Sequence, residues 1–222
     1  MDVLEINNLN KSFGEKVILR NFQLQCNVGD IVGIFGRNGT GKSTLLKAIF
    51  GTVKADNVEI KINSQIISQK NIIPSQKIAY LPQDSFLPKN IKVRALLPLF
   101  FPNEELQDQI FYAPKVASFE NTKVGNLSMG ELRYLELLLI GHLKHSFLLL
   151  DEPFSMIEPL YKEIIKNLLC QLKATKGIIL TDHYYYDVLE VTSKNFIIKN
   201  GEKIEIKDKD DLVELGYLNS NY

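Results

Sequence analysis

The chain has 222 residues, and its 26 basic and 26 acidic side chains cancel to a net charge of zero. That length predicts one domain with a small inserted piece, and the balance supplies no whole-chain drive toward nucleic acid or an anionic membrane. Two cysteines, Cys26 and Cys170, lie far apart in apolar-patterned segments, which predicts buried free thiols rather than a disulfide. The start, Met1-Asp2-Val3-Leu4-Glu5, lacks the basic stretch and apolar run of a secretory signal. No segment approaches the roughly 18–20 apolar residues that span a bilayer, so any membrane work needs spans from another polypeptide.

Residues 3–26 read as strands and turns, with Phe22, Leu24 and Cys26 alternating with Gln23 and Gln25. Ile31-Val32-Gly33-Ile34-Phe35 is a short apolar strand, and Ser43–Phe50 reads as a helix. Between them Gly36-Arg37-Asn38-Gly39-Thr40-Gly41-Lys42-Ser43-Thr44 has phosphate-loop spacing, with Gly36, Gly41, Lys42 and Ser43 at the defining positions. Glycines let backbone N–H groups turn inward around phosphates, and the helix start adds its positive dipole end. Lys42 supplies a point charge, and the Ser43 hydroxyl is placed to ligate Mg²⁺. A ligand-free glycine turn is the competing reading; the flanking strand, the flanking helix and the Lys-Ser pair argue against it.

Val58–Ile62 alternates again, and Ile78-Ala79-Tyr80-Leu81 is a buried-type strand closed by Pro82. Gln83 follows it. As a lone residue it is a polar loop position; as a neighbour of a phosphate site it could ligate Mg²⁺ or orient water. Residues 84–126 carry Pro88, Pro98, Pro102 and Pro114 with short helical pieces at Lys92–Leu97 and Glu104–Ile110, which predicts a helical insertion. Ser128 and Glu131 form a capping box at the start of the helical pattern Ser128–Leu143, a sufficient structural account of both. The same helix start, with Ser128 and Gly130, can also hold an anion, and that anion need not be on the same chain.

Phe147-Leu148-Leu149-Leu150-Asp151 is an apolar strand ending on an acid, with Glu152 and Pro153 next. A buried strand holds its terminal acid rigidly at the sheet edge, where Asp151 suits Mg²⁺ and Glu152 can polarise a water. Leu160, Ile164, Ile165, Leu168, Leu169 and Leu172 mark one face of a helix. Ile178–Thr181 is another buried strand, followed by Asp182 and His183. A lone histidine there is ordinarily a surface residue, but its place relative to the other motifs suits a γ-phosphate contact. Asn195–Lys199 and Lys203–Ile206 form a hairpin around Asn200-Gly201, and Asp208–Leu215 reads as a last helix. Strands alternating with helices predict an α/β core with parallel strands.

Taken together, these motifs resemble those of the ATP-binding-cassette (ABC) ATPases along essentially the whole chain. The order is an aromatic Phe13, the phosphate loop, Gln83, the signature Leu127–Glu131, the strand ending at Asp151, Glu152 and His183. The resemblance implies a P-loop NTPase core with a mostly parallel sheet, an N-terminal antiparallel β subdomain and a small helical subdomain. A single domain over 1–222 is expected, with core and β subdomain at 1–85 and 143–222 and the helical insertion at 86–142. The resemblance also implies roles in binding ATP and Mg²⁺. Phe13 would stack on adenine, and Gly36, Asn38, Gly39, Thr40, Gly41, Lys42, Ser43 and Thr44 would cradle the phosphates. Ser43, Gln83 and Asp151 would hold the metal. Glu152 would be the general base, with His183 and Gln83 at the γ-phosphate. Ser128 and Gly130 would close over ATP held by a second copy or a paralogous ATPase, in a head-to-tail pair.

The sequence departs from the family pattern in three places: the signature, the segment after Glu152 and the N-terminal aromatic. Met129 and Glu131 replace the usual Gly and Gln of the signature, Glu158 stands where an aspartate is usual, and Phe13 replaces a tyrosine. Gly-Arg-Asn-Gly and Thr-Asp-His are similar to the branched-chain amino-acid and lipopolysaccharide-export types, and to many others. The compact chain resembles the subunit that powers a separate integral membrane permease from the cytoplasmic face, with no nucleic-acid partner. The alternatives are a soluble ABC ATPase in an assembly complex, such as iron–sulfur cluster assembly, and a nucleotide-binding regulator with little hydrolysis. Phe86, Leu87, Ile91, Val93, Leu96, Leu97, Leu99, Phe100 and Phe101 are expected to divide between packing the insertion and forming an apolar groove for the permease.

Overall fold

The computed structural model describes residues 2–218; Met1 and residues 219–222, included in the expected single domain, lie outside them. Among the described residues, ten strands form two sheets. The first is antiparallel, in the order β2 (Lys16–Asn27), β1 (Val3–Phe13), β4 (Asn57–Ile62), β5 (Gln65–Ile67). The second has six strands, in the order β10 (Glu202–Ile206), β9 (Lys194–Lys199), β3 (Ile31–Phe35), β8 (Gly177–Thr181), β7 (Phe147–Asp151), β6 (Ile78–Leu81). All its pairings are parallel except the β9–β10 hairpin at the edge.

The helices are α1 (Lys42–Phe50), α2 (Ile72–Ser75), α3 (Val93–Phe100), α4 (Glu104–Phe111), α5 (Val116–Phe119), α6 (Met129–His142), α7 (Pro159–Leu172), α8 (Tyr185–Val191) and α9 (Lys209–Glu214). Helices α3 to α6 all lie between β6 and β7 in sequence. Helix α3 continues through Pro98, past the expected end at Leu97. Within the last turn a proline forfeits only its own bond to the carbonyl four residues back.

The central strands β3, β7 and β8 are buried at every position, as expected of parallel strands covered on both faces. Their alternating side chains feed two different cores. Ile31, Phe35, Leu148, Leu150, Ile178 and Leu180 join one cluster with the helices α6 and α7. Val32, Ile34, Phe147, Leu149 and Ile179 join the other, with α1 and the antiparallel sheet. The period of two therefore sandwiches the parallel sheet between a helical layer and a β layer.

One expectation needs correction. Cys26 is buried, and burial together with nearby Asp30 pushes its thiol pKa up to about 12. Cys170 is exposed instead. On α7 the buried stripe runs through Leu168, Leu169 and Leu172, and residue 170 falls off it. Among the apolar residues after Gln83, Leu87, Val93, Leu96, Leu97 and Phe101 are core, while Phe86 and Leu99 are exposed. Leu87 therefore belongs to the packing and not to a docking face. Among the described residues, no helix is long and apolar enough to cross a membrane.

Candidate active site

Four loops leave the carboxyl edge of the parallel sheet side by side. They follow Phe35 of β3, Leu81 of β6, Asp151 of β7 and Thr181 of β8. Ligands in open α/β sheets bind at that edge. Here Asn38, Gly39, Gly41, Lys42, Ser43, Thr44, Gln83, Glu152 and His183 line one opening of about 480 Å³, closed on one side by Ile18 of β2.

The phosphate loop is shaped by its glycines. Gly41 precedes α1 at φ 104°, and a Cβ there would lie 2.5 Å from the Ile18 side chain. Only glycine meets both conditions. Lys42 is 6% exposed. Its ammonium donates to the Gly36 carbonyl at 2.7 Å and reaches that of Arg37 at 3.5 Å. Burial lowers its pKa, while Glu152, Asp151 and Asp182 pull the other way. A buried ammonium held by carbonyls alone is a fitting receptor for a polyphosphate. Thr40 turns back on the Arg37 carbonyl through its hydroxyl at 2.9 Å.

Asp151 sits beneath the opening, 1% exposed. Its Oδ1 accepts from the Ser43 hydroxyl and the Thr181 hydroxyl, each at 3.0 Å. Its Oδ2 accepts from the Tyr80 hydroxyl at 3.0 Å. Burial beside this carboxylate raises the Tyr80 pKa, so the phenol stays a donor.

Glu152 is bound on both oxygens. His183 Nε2 lies 2.8 Å from Oε1, Gln83 Nε2 donates to Oε2 at 2.9 Å, and the Ser155 hydroxyl reaches Oε2 at 3.2 Å. Asp182, fully buried, fixes the surrounding backbone. Its Oδ2 accepts the Phe154 N–H at 2.7 Å, and its Oδ1 accepts those of His183 at 2.7 Å and Tyr184 at 3.0 Å. Burial raises the Asp182 pKa against these three bonds.

Gly36 and Thr40 belong to the loop but do not line this opening, and Phe13, Ser128 and Gly130 stand apart from it on other elements. Phe13 ends β1, 54% exposed, with the Lys11 ammonium 4.7 Å from its ring centroid. Ser128 and Gly130 start α6. Both halves of the capping box form, Glu131 N–H to Ser128 Oγ at 3.2 Å and Ser128 N–H to Glu131 Oε2 at 2.8 Å. A Cβ on Gly130 would lie 2.5 Å from Glu158 Oε2 and 2.6 Å from the Tyr161 ring, so the starts of α6 and α7 touch there. Met129 and Met156 are exposed and line a second opening with Gln83, Arg133, Glu152, Ser155, His183 and Tyr184. Tyr80, Thr181, Asp182 and Arg133 were not singled out from the sequence. An acid directly after a buried strand was the available signal for Asp182; the others depend on contacts between separate elements.

This fold and this opening define a phosphate-loop nucleotide-binding protein. The chain belongs to the ABC transporter family, whose model matches residues 19–155. It is 28% identical to the lipopolysaccharide export system ATP-binding protein LptB of Acidithiobacillus ferridurans, over 96% of this chain and 93% of the relative. Identity to a probable ABC transporter ATP-binding protein of Azorhizobium caulinodans is 30%, over 92% and 77%. A nucleotide-free ATP-binding cassette from an ABC transporter superposes with a TM-score of 0.83 at 24% identity, covering 99% of this chain and 96% of the other. A cassette in its ADP conformation superposes with a TM-score of 0.81 at 25% identity, covering 96% and 93%. The chain is thus the ATP-binding subunit type of an ABC transporter, and ATP hydrolysis is the activity characteristic of its family.

Proposed function

We propose that the chain hydrolyses ATP at this opening and, paired with a second copy or a paralogue, powers a separate membrane permease from its cytoplasmic face. The convergence of Lys42, Gln83, Glu152 and His183 on one opening carries the reading. The loop from Gly36 to Thr44 would hold the phosphates through backbone N–H groups and Lys42. Among the described residues, no group of three or more His, Cys, Asp or Glu is gathered as a metal site. The Ser43 hydroxyl meets Asp151 at 3.0 Å and shares the opening with Gln83, so these three would hold Mg²⁺, with phosphate oxygens and water as its other ligands. Bound Mg²⁺ would neutralise charge developing on the phosphates.

Glu152 acts as the general base. Water attacks the γ-phosphorus, its proton passes to Glu152, and the bond to the bridging oxygen breaks to give ADP and inorganic phosphate. Gln83 and His183 orient the carboxylate and face the γ-phosphate, and Phe13 offers an exposed ring for adenine. Ser128 and Gly130, away from this opening, serve the nucleotide of the partner copy. Relatives named as transporter ATP-binding proteins favour this reading over a soluble assembly factor. By name, LptB-type relatives work in lipopolysaccharide export, and that is the cargo class proposed for the permease.

The test is Mg²⁺-dependent phosphate release by the purified chain. Lys42→Ala is expected to weaken ATP binding and abolish release. Release unaffected by Lys42→Ala would place hydrolysis elsewhere.

A further inference from the structure

One buried side chain joins α6 to the loop after β6. Arg133, in the second turn of α6, is 7% exposed. Its guanidinium donates to the Pro82 carbonyl at 2.7 Å and the Gln83 carbonyl at 2.8 Å, and to Glu136 Oε2 at 3.2 Å. Gln83 in turn reaches Glu152 Oε2. Direct contacts therefore run from the helix begun by Ser128 to the carboxylate at the opening.

This arrangement is an expensive way to pack a helix. Glu136 is 1% exposed and its Oε1 has no well-aligned hydrogen-bond partner among the described residues, a cost that apolar residues would avoid. Burial raises its pKa, although Ser85, Arg133 and the Phe86 amide favour its charge. Apolar side chains of similar volume commonly stabilise as well as a buried ion pair. They could not grip two successive carbonyls, which the planar fork of an arginine does. What the pair adds is a rigid hold on the backbone that carries Gln83.

We propose that Arg133 is a positioning residue that carries movement of the α6 start into Gln83, so that nucleotide engaged by Ser128 and Gly130 in one site sets the Gln83–Glu152 contact of the other. This rests on the two-copy reading given above. In that pair α6 serves the partner's nucleotide while Gln83 serves its own chain's, and Arg133 is the bond between them.

Hydrolysis measured against ATP concentration reads the link. The wild-type chain is expected to respond sigmoidally. Arg133→Met with Glu136→Leu removes both buried charges, so no carboxylate is left orphaned. In this double variant the Hill coefficient is expected to fall to unity and kcat to drop about 2- to 30-fold. Its melting temperature and the affinity of its monomer for a fluorescent ATP analogue are expected to stay near wild type. Arg133→Lys, with one point-like donor, is expected to fall between the two; if the double variant does not fold, this single variant decides.

A folded variant with wild-type cooperativity overturns the proposal, whatever its kcat. A wild-type chain that responds hyperbolically also overturns it, because Arg133 would then have no coupling to carry. Failure of the two-copy reading is seen separately, as full activity in Ser128→Arg.

Discussion

Glu152 holds a left-handed backbone at φ 55°, a conformation that costs a non-glycine residue of order 1–3 kcal/mol. The bond from its N–H to the Thr181 carbonyl at 2.8 Å and the grip of His183 and Gln83 keep it there. Such a locked carboxylate suits a base that must meet one water. Glu152→Gln is expected to lower kcat by about 10²–10⁴-fold while ATP still binds, measured by single-turnover hydrolysis beside equilibrium binding. A second residue-scale prediction concerns the thiols. The Cys26 pKa is raised from 9.0 to about 12, so between those values the unfolded chain releases a proton that the folded chain keeps. Folded-state stability is then fully present below pH 9 and lost as pH rises toward 12, by up to about 1.4 kcal/mol per pH unit from this group. Cys26→Val should match wild type near pH 7 to within about 1.5 kcal/mol and gain on it steadily above pH 9, as denaturant titrations would show. In the folded protein a thiol reagent should modify Cys170 and spare Cys26.

At the scale of elements, the start of α6 is a cap and a proposed ligand site at once. Ser128→Ala removes the side-chain acceptor of the capping box and should cost about 1 kcal/mol of stability. If Ser128 also serves a partner's phosphate, hydrolysis should fall about 10²-fold, far beyond what that loss of stability explains. Denaturant titration and steady-state hydrolysis on the same preparation separate the two effects. Gly130→Ala should be worse for packing, since its Cβ would meet Glu158 and Tyr161. The elements that carry these residues were legible because their patterns are strong. Strands β3, β7 and β8 are short, largely apolar runs, α7 has a clear stripe, and the box at Ser128 announces α6. Helix α8 was not legible: at seven residues its stripe of Tyr185, Val188 and Leu189 is too short to stand out behind the run Tyr184, Tyr185 and Tyr186. The outward face of Cys170 was missed because a small apolar residue beside a stripe looks the same as one within it.

For the molecule as a whole, the phosphate loop, Asp151, Glu152 and His183 were readable because each follows a strand whose register delivers it to the same sheet edge. What holds them was not readable. Tyr80 meets Asp151 only because β6 pairs with β7, and Arg133 meets Gln83 only because the inserted helices fold back on the sheet. Local patterns carry no record of such pairings. The insertion also bears on the permease reading. Phe86 and Leu99 remain exposed on it, whereas Leu87 is core. Phe86→Glu should leave hydrolysis in solution intact and abolish co-purification of the permease, while Leu87→Glu should unfold the chain by burying a charge. Retained co-purification with folded Phe86→Glu would move the docking surface elsewhere. The central claim, two copies closing on ATP that Glu152 then helps to cleave, is tested most directly by sedimentation of Glu152→Gln with and without Mg²⁺-ATP. The account predicts a stable dimer with ATP and a monomer without it. A Glu152→Gln chain that binds ATP and stays monomeric at saturation, in a protein shown to be folded, would contradict it.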